Sequence, residues 1–86
     1  MTIEGAVIRE QGVTFAVVIV KPSVVRDRAE ANRASAAFSP AFGGIPVVLM
    51  AQNSRGTPTY WGRPDLAQFL ARVPMAAIPW RRYDLR

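Results

Sequence analysis

Apolar residues are concentrated in three short runs whose spacing predicts β-strands. The first two, 5–10 and 13–20, are separated by Gln11-Gly12, and glycine supplies the positive φ that a tight hairpin requires. The third run, 47–51, follows the Gly-Gly-Ile-Pro segment at 43–46 and contains no polar residue, which is typical of a strand buried on both faces. We therefore predict an antiparallel hairpin followed by a central strand.

A helix is predicted between the second and third strands, over 24–38. Pro22 ends the second strand, and the Ser23 hydroxyl can cap the helix by accepting hydrogen bonds from free amides of the first turn. A crossover of this length makes strands two and three parallel. The face expected to pack on the sheet consists mainly of small residues, namely Val25, Ala29, Ala36, Ala37 and, as an optional addition, Phe38.

The remainder of the chain predicts a return strand and a closing helix. Residues 57–61 form the strand, and Pro58 restricts it to an edge of the sheet because proline donates no ladder hydrogen bond. The helix begins at Pro64. Its apolar residues recur with i, i+3, i+4, i+7 spacing and are Leu66, Phe69, Leu70 and Val73.

These elements predict one α+β domain over 1–86, an α/β sandwich. We expect a four-stranded mixed sheet with element order β-β-α-β-β-α and strand order 1-2-3-4, parallel central strands two and three, and helices packed on the sheet. The tail 75–86 is first apolar and then basic. Residues 75–80 are expected to dock on the core or on a neighbouring subunit, and residues 81–86 to be exposed.

Residues 44–73 resemble the carboxy-terminal half of thioredoxin-fold proteins. The resemblance rests on the Gly-Ile-Pro triplet at 44–46 before an apolar strand, a short polar loop, a return strand ending at Gly62, and a closing helix. In that fold the matching proline is usually cis and lies beside the active site, which implies a cis Pro46. The family's Cys-x-x-Cys motif is absent, so the resemblance implies related local architecture without redox chemistry.

Composition excludes several kinds of chemistry. The chain has neither cysteine nor histidine, so disulfides, thiolate ligands and histidine acid–base catalysis are ruled out. Its six carboxylates lack the spacing of calcium or zinc ligands, and we predict no metal and no cofactor.

The longest apolar run, 15–20, is far shorter than the roughly 20 residues of a membrane span, and the amino terminus does not resemble a secretory signal. We expect a cytoplasmic, non-enzymatic protein without a membrane segment.

The net charge of +5 has two interpretations. An anionic partner such as nucleic acid would account for it. Ten of the eleven basic residues are arginine and thirteen residues are alanine, however, and a genome rich in G and C would produce that bias without selection for binding. The pattern of charge alone leaves both interpretations open.

Three short segments have both a chemical and a structural interpretation. Lys21 and Ser23 could form a base and a nucleophile, although helix capping by Ser23 explains the same residues. The glycines at 43–44 and the loop 53–56 could present amides to a phosphate, but neither matches a phosphate-binding motif. Turn geometry explains both glycine sites.

Aromatic rings and arginines are the remaining candidates for binding. Such rings can stack on bases while arginines neutralise phosphate, but Tyr60 and Trp61 point to opposite faces of a strand, so only one can join an exposed platform. A core or subunit contact is the alternative. Our leading hypothesis is a protein-binding module, either a homodimer or bound to another protein, with nucleic-acid binding as the alternative. The candidate contact residues are Arg55, Tyr60, Trp61, Arg63, Trp80, Arg81 and Arg82.

Overall fold

A computed structural model describes residues 2–10 and 12–84 and contains one mixed sheet with helices packed against it. The strands are β1 Thr2–Glu10, β2 Val13–Ile19, β3 Val47–Gln52, β4 Pro58–Trp61 and β5 Arg81–Asp84. The helices are α1 Pro22–Arg26, α2 Arg28–Phe38 and α3 Pro64–Ala71, with single 3-10 turns at Ser39–Phe42 and Met75–Ala77. The predicted α+β class is confirmed.

The sheet has five strands in the order β4-β3-β2-β1-β5. Strands β2 and β3 are parallel, as predicted, and the other neighbours are antiparallel. The prediction of four strands in the order 1-2-3-4 was wrong because residues 81–84 form a fifth strand beside β1. Their sequence, Arg-Arg-Tyr-Asp, has no run of apolar residues that would predict a strand. Backbone pairing with the free side of β1 supplies the structure instead.

Alternate side chains of β2 point to opposite faces of the sheet. Because the apolar side chains on both faces are buried, helices cover both faces. Phe15 and Val17 pack with Leu66 and Leu70 of α3, on what we call the α3 face. The opposite side, the α2 face, is built around α1, α2 and the 3-10 turn at 39–42. Its buried residues are Ile3, Ala16, Val18, Ala31, Phe38, Val47 and Leu49.

The predicted helix over 24–38 is interrupted at Asp27, which adopts an extended conformation between α1 and α2. Its carboxylate accepts hydrogen bonds from the amides of Ala29 at 2.9 Å and Glu30 at 3.2 Å. Asp27 is therefore the N-cap of the longer helix. The expectation that Ser23 caps it was wrong, because Ser23 lies inside α1, where no side chain caps the helix.

The buried face of α2 differs from the predicted one. Ala31 and Phe38 are buried, whereas Ala29, Ala36 and Ala37 are exposed. Phe38 has the largest apolar side chain of the helix, so its burial sets the inward face, and positions three, four and seven residues before it share that face. Ser35 is one of these, and its hydroxyl donates to the Val47 carbonyl at 3.3 Å.

Pro46 joins the α2 layer to β3. No peptide bond in residues 2–10 and 12–84 is cis, so the implied cis Pro46 was wrong. Its carbonyl accepts a hydrogen bond from the Ala16 amide at 2.8 Å, which begins the parallel pairing of β2 with β3. The wider resemblance to the thioredoxin fold stays a prediction.

Candidate functional site

The candidate contact residues lie at opposite edges of the sheet. Arg55 is in the loop before β4, whereas Arg81 and Arg82 are in β5. Four strand spacings of about 4.8 Å separate β4 from β5, or about 19 Å. The arginines predicted to act together therefore belong to two separate surfaces.

Tyr60 and Trp61 of β4 point to opposite faces, as predicted from strand geometry. Both are half-buried, Tyr60 against the α3-face core and Trp61 against the α2-face core. The Tyr60 hydroxyl oxygen is buried without a hydrogen-bond partner in the described structure, and this burial raises its pKa above the ordinary value. Both rings thus contribute to the core, so they do not form one exposed stacking surface.

Arg63 is engaged by a neighbouring carboxylate. Its Nε lies 3.1 Å from Asp65 Oδ1 and its Nη2 lies 2.7 Å from Asp65 Oδ2, which makes a bidentate pair. The hydrogen bond from Arg63 is the main reason that the pKa of Asp65 is lowered. Both side chains are exposed, so the pair orients the Arg63 guanidinium at the start of α3 and contributes little to stability.

Trp80 packs against the core immediately before β5. Its indole N–H donates to the Met75 carbonyl at 3.1 Å, and its ring packs against the α3-face core together with buried Ile78. The apolar segment 75–80 therefore docks on the core of its own chain. This contact fixes where β5 begins.

Arg55 lies in a loop organised by Asn53. The Asn53 side-chain oxygen accepts hydrogen bonds from the amides of Arg55 at 2.9 Å and Thr57 at 3.0 Å. These bonds are the local side-chain contacts typical of an Asx turn. The turn therefore has a structural explanation, and the Arg55 side chain is exposed on it.

Strand β5 forms an ordered edge. It pairs with β1 from Thr2 opposite Asp84 to Gly5 opposite Arg81, and the Thr2 hydroxyl donates to Asp84 Oδ1 at 3.0 Å. The Tyr83 ring meets Phe42 edge-on, with centroids 4.9 Å apart and an interplanar angle of 66°. These contacts hold β5 at both ends and in the middle.

The outer side of β5 is unpaired in the part of the chain that the structure describes. Every second residue of an edge strand directs its N–H and C=O away from the sheet. β5 contains no proline, whereas the other edge, β4, begins with Pro58, which lacks an N–H. The β5 edge is consequently the better of the two for adding a strand.

Two of the grooves lined by described residues border the sheet. The larger, about 700 Å³, has an apolar floor and an exposed rim of Glu4, Lys21 and Arg82, but these side chains do not converge on a buried reactive group. The smaller, about 270 Å³, contains Glu10 and Asp65. Across residues 2–10 and 12–84 no three histidine, cysteine, aspartate or glutamate side chains are close enough to hold a metal ion, and no hydrogen bond joins Lys21 to Ser23.

Sequence reasoning missed the β5 edge because the tail was expected to be exposed. The alternation of Arg82 and Asp84 around Tyr83 was the available signal, since it places opposite charges on one strand face and an aromatic ring on the other.

Comparison of the chain with protein-family models, curated proteins and solved structures found no match. Among the described helices, none has the length and apolar character needed to span a membrane.

Proposed function

We propose that this protein is a binding module that captures a protein strand along the free edge of β5. The observation that carries the proposal is an ordered edge strand whose outer N–H and C=O groups are unpaired within the described structure. Strand addition to such an edge supplies main-chain hydrogen bonds for affinity and side-chain contacts for specificity.

The contacts that hold β5 in the sheet support this function. A strand that must order on binding loses conformational entropy, and that loss reduces affinity. In this protein the Tyr83–Phe42 contact and the Thr2–Asp84 hydrogen bond already hold β5 in place. A partner strand therefore meets a formed edge.

The test is photocrosslinking in cells that contain the natural partners. A benzophenone amino acid replaces Arg82, which is exposed on β5, or Thr59, which is exposed on β4 as the matched control. We expect discrete protein adducts, with self or with another protein, from position 82 and none above background from position 59. Equal labelling at both positions, or no adduct at 82, would contradict the proposal.

Nucleic-acid binding is the second candidate function. In support of it, Arg63 is the single basic side chain within 4.0 Å of a carboxylate in residues 2–10 and 12–84, so the charge of the other arginines in those ranges is available to an anion. Against it, the arginines and aromatic rings occupy two separate edges. Nucleic-acid binding is therefore the alternative function.

A further inference from the structure

We infer that the strand captured by β5 is β5 of a second copy, paired antiparallel about a two-fold axis that passes beside Tyr83. The inference rests on the proposed function of the β5 edge and names its partner. The result would be one sheet continuous across two copies, with the two β5 strands at its centre. The pattern of side chains along β5 specifies this register.

Symmetry limits the registers available. A two-fold axis perpendicular to the sheet keeps each face on its own side, so opposed residues must belong to the same face. Arg82 lies on the α3 face opposite Glu4, and Tyr83 lies on the α2 face opposite Ile3. Because faces alternate along the strand, the axis must pass beside a residue, and Arg82 and Tyr83 are the two central choices.

Charge distinguishes these two registers. An axis beside Arg82 opposes two Arg82 side chains, and directly opposed like charges destabilise a strand pair. An axis beside Tyr83 opposes Arg82 of each copy to Asp84 of the other, which gives two attractive pairs. The second register is therefore favoured.

The contacts within one copy favour that register on both faces of the sheet. On the α3 face, Arg82 would lie between Glu4 of its own β1 and Asp84 of the second copy. The Asp84 carboxylate is already oriented by the Thr2 hydroxyl at 3.0 Å. On the α2 face, the two Tyr83 rings would meet and extend the Tyr83–Phe42 contact into a cluster of four rings.

A disulfide test reads the register directly, because the natural chain contains no cysteine. Opposed Cβ atoms in an antiparallel pair are about 4.5–5.5 Å apart, whereas diagonal ones are about 7–8 Å apart. In a glutathione redox buffer, Tyr83→Cys should give a covalent dimer, and Arg82→Cys and the β4 control Thr59→Cys should not. Crosslinking of Arg82→Cys in preference to Tyr83→Cys would overturn the register.

Charge exchange provides a test that keeps the tyrosine. Arg82→Asp and Asp84→Arg should each raise the dimer dissociation constant about tenfold or more, since each opposes like charges twice. An equimolar mixture of the two variants should restore dimers, because one copy then presents two arginines to two aspartates. Thr2→Val is the matched control: it removes the Asp84 hydrogen bond without altering charge and should have a smaller effect.

Each variant and each mixture is measured by sedimentation velocity at about 0.15 M salt. At this salt concentration, repulsion between the positively charged copies is screened beyond about 8 Å. Failure of the mixed variants to associate would overturn the inference, as would a monomeric natural protein at high micromolar concentration. Photocrosslinking of position 82 to a different protein would overturn the second copy as partner while supporting the proposed function. The two ideas therefore fail separately.

Discussion

Replacement of Tyr60 by phenylalanine is predicted to stabilise the protein. The Tyr60 hydroxyl oxygen is buried without a hydrogen-bond partner in the described structure, and a buried polar group left unsatisfied costs about 1–3 kcal/mol. Because the ring as a whole is only half-buried, we take the lower end. Tyr60→Phe should therefore raise the free energy of unfolding by about 1 kcal/mol, which corresponds to a rise of about 4–8 °C in Tm for a domain of this size.

The same substitution should change how stability depends on pH. Burial raises the pKa of Tyr60 above its ordinary value of 10.0. A raised pKa in the folded state contributes stability that is present below pH 10.0 and lost as the pH rises through the folded-state pKa. Above pH 10.0 the free energy of unfolding should therefore fall more for the natural protein than for Tyr60→Phe.

Urea unfolding followed by the fluorescence of Trp61 and Trp80 measures both effects at neutral and alkaline pH. Tyr83→Phe is the matched control, because Tyr83 lies on the β5 edge and its hydroxyl is not one of the buried unpartnered groups. Its free energy of unfolding at neutral pH should stay close to that of the natural protein. A neutral or destabilising Tyr60→Phe would refute the reasoning, since the hydroxyl would then have a partner such as a bound water.

Two further predictions concern the helix break and the arginines. Asp27→Ala should lower the free energy of unfolding by about 1 kcal/mol through loss of the α2 cap. Ser23→Ala should change the free energy of unfolding by less than about 0.5 kcal/mol. If denaturant unfolding showed a larger loss for Ser23→Ala than for Asp27→Ala, the assignment of the cap would be contradicted. If the alternative function holds, a labelled single-stranded oligonucleotide should bind with an affinity that falls steeply between about 50 and 200 mM salt, and replacing Arg81 and Arg82 by serine should weaken it. Undetectable or salt-insensitive binding would remove that alternative.

Much of the fold could be predicted from residues close together in the chain. Pro58 was placed correctly at an edge because its missing N–H is a local property. The closing helix was predicted from the spacing of Leu66, Phe69 and Leu70, and Leu66 and Leu70 are buried as expected. The helix before it was predicted less well, since the alanine-rich sequence offers several apolar faces and only packing of Phe38 selects one.

The candidate site was predicted only in part. Tyr60 and Trp61 were assigned correctly to opposite faces, because strand geometry alone requires it. Arg81 and Arg82 were expected to lie in an exposed tail, and both side chains are exposed, but on an ordered strand. Their separation from Arg55 depends on strand order, which neighbouring residues in the sequence do not encode.

By itself the sequence determined the hairpin, the parallel crossover and the buried third strand, since each depends on apolar runs, glycine or proline acting over a few residues. Only the tertiary structure decided that residues 81–84 complete the sheet. Thr2 and Asp84 are 82 positions apart in the chain and are joined by a 3.0 Å hydrogen bond. In the folded sheet β5 pairs with one side of β1, and β2 pairs with the other side. A polar tail acquires strand structure from backbone hydrogen bonds to a distant partner, and such bonds leave little pattern in the side chains.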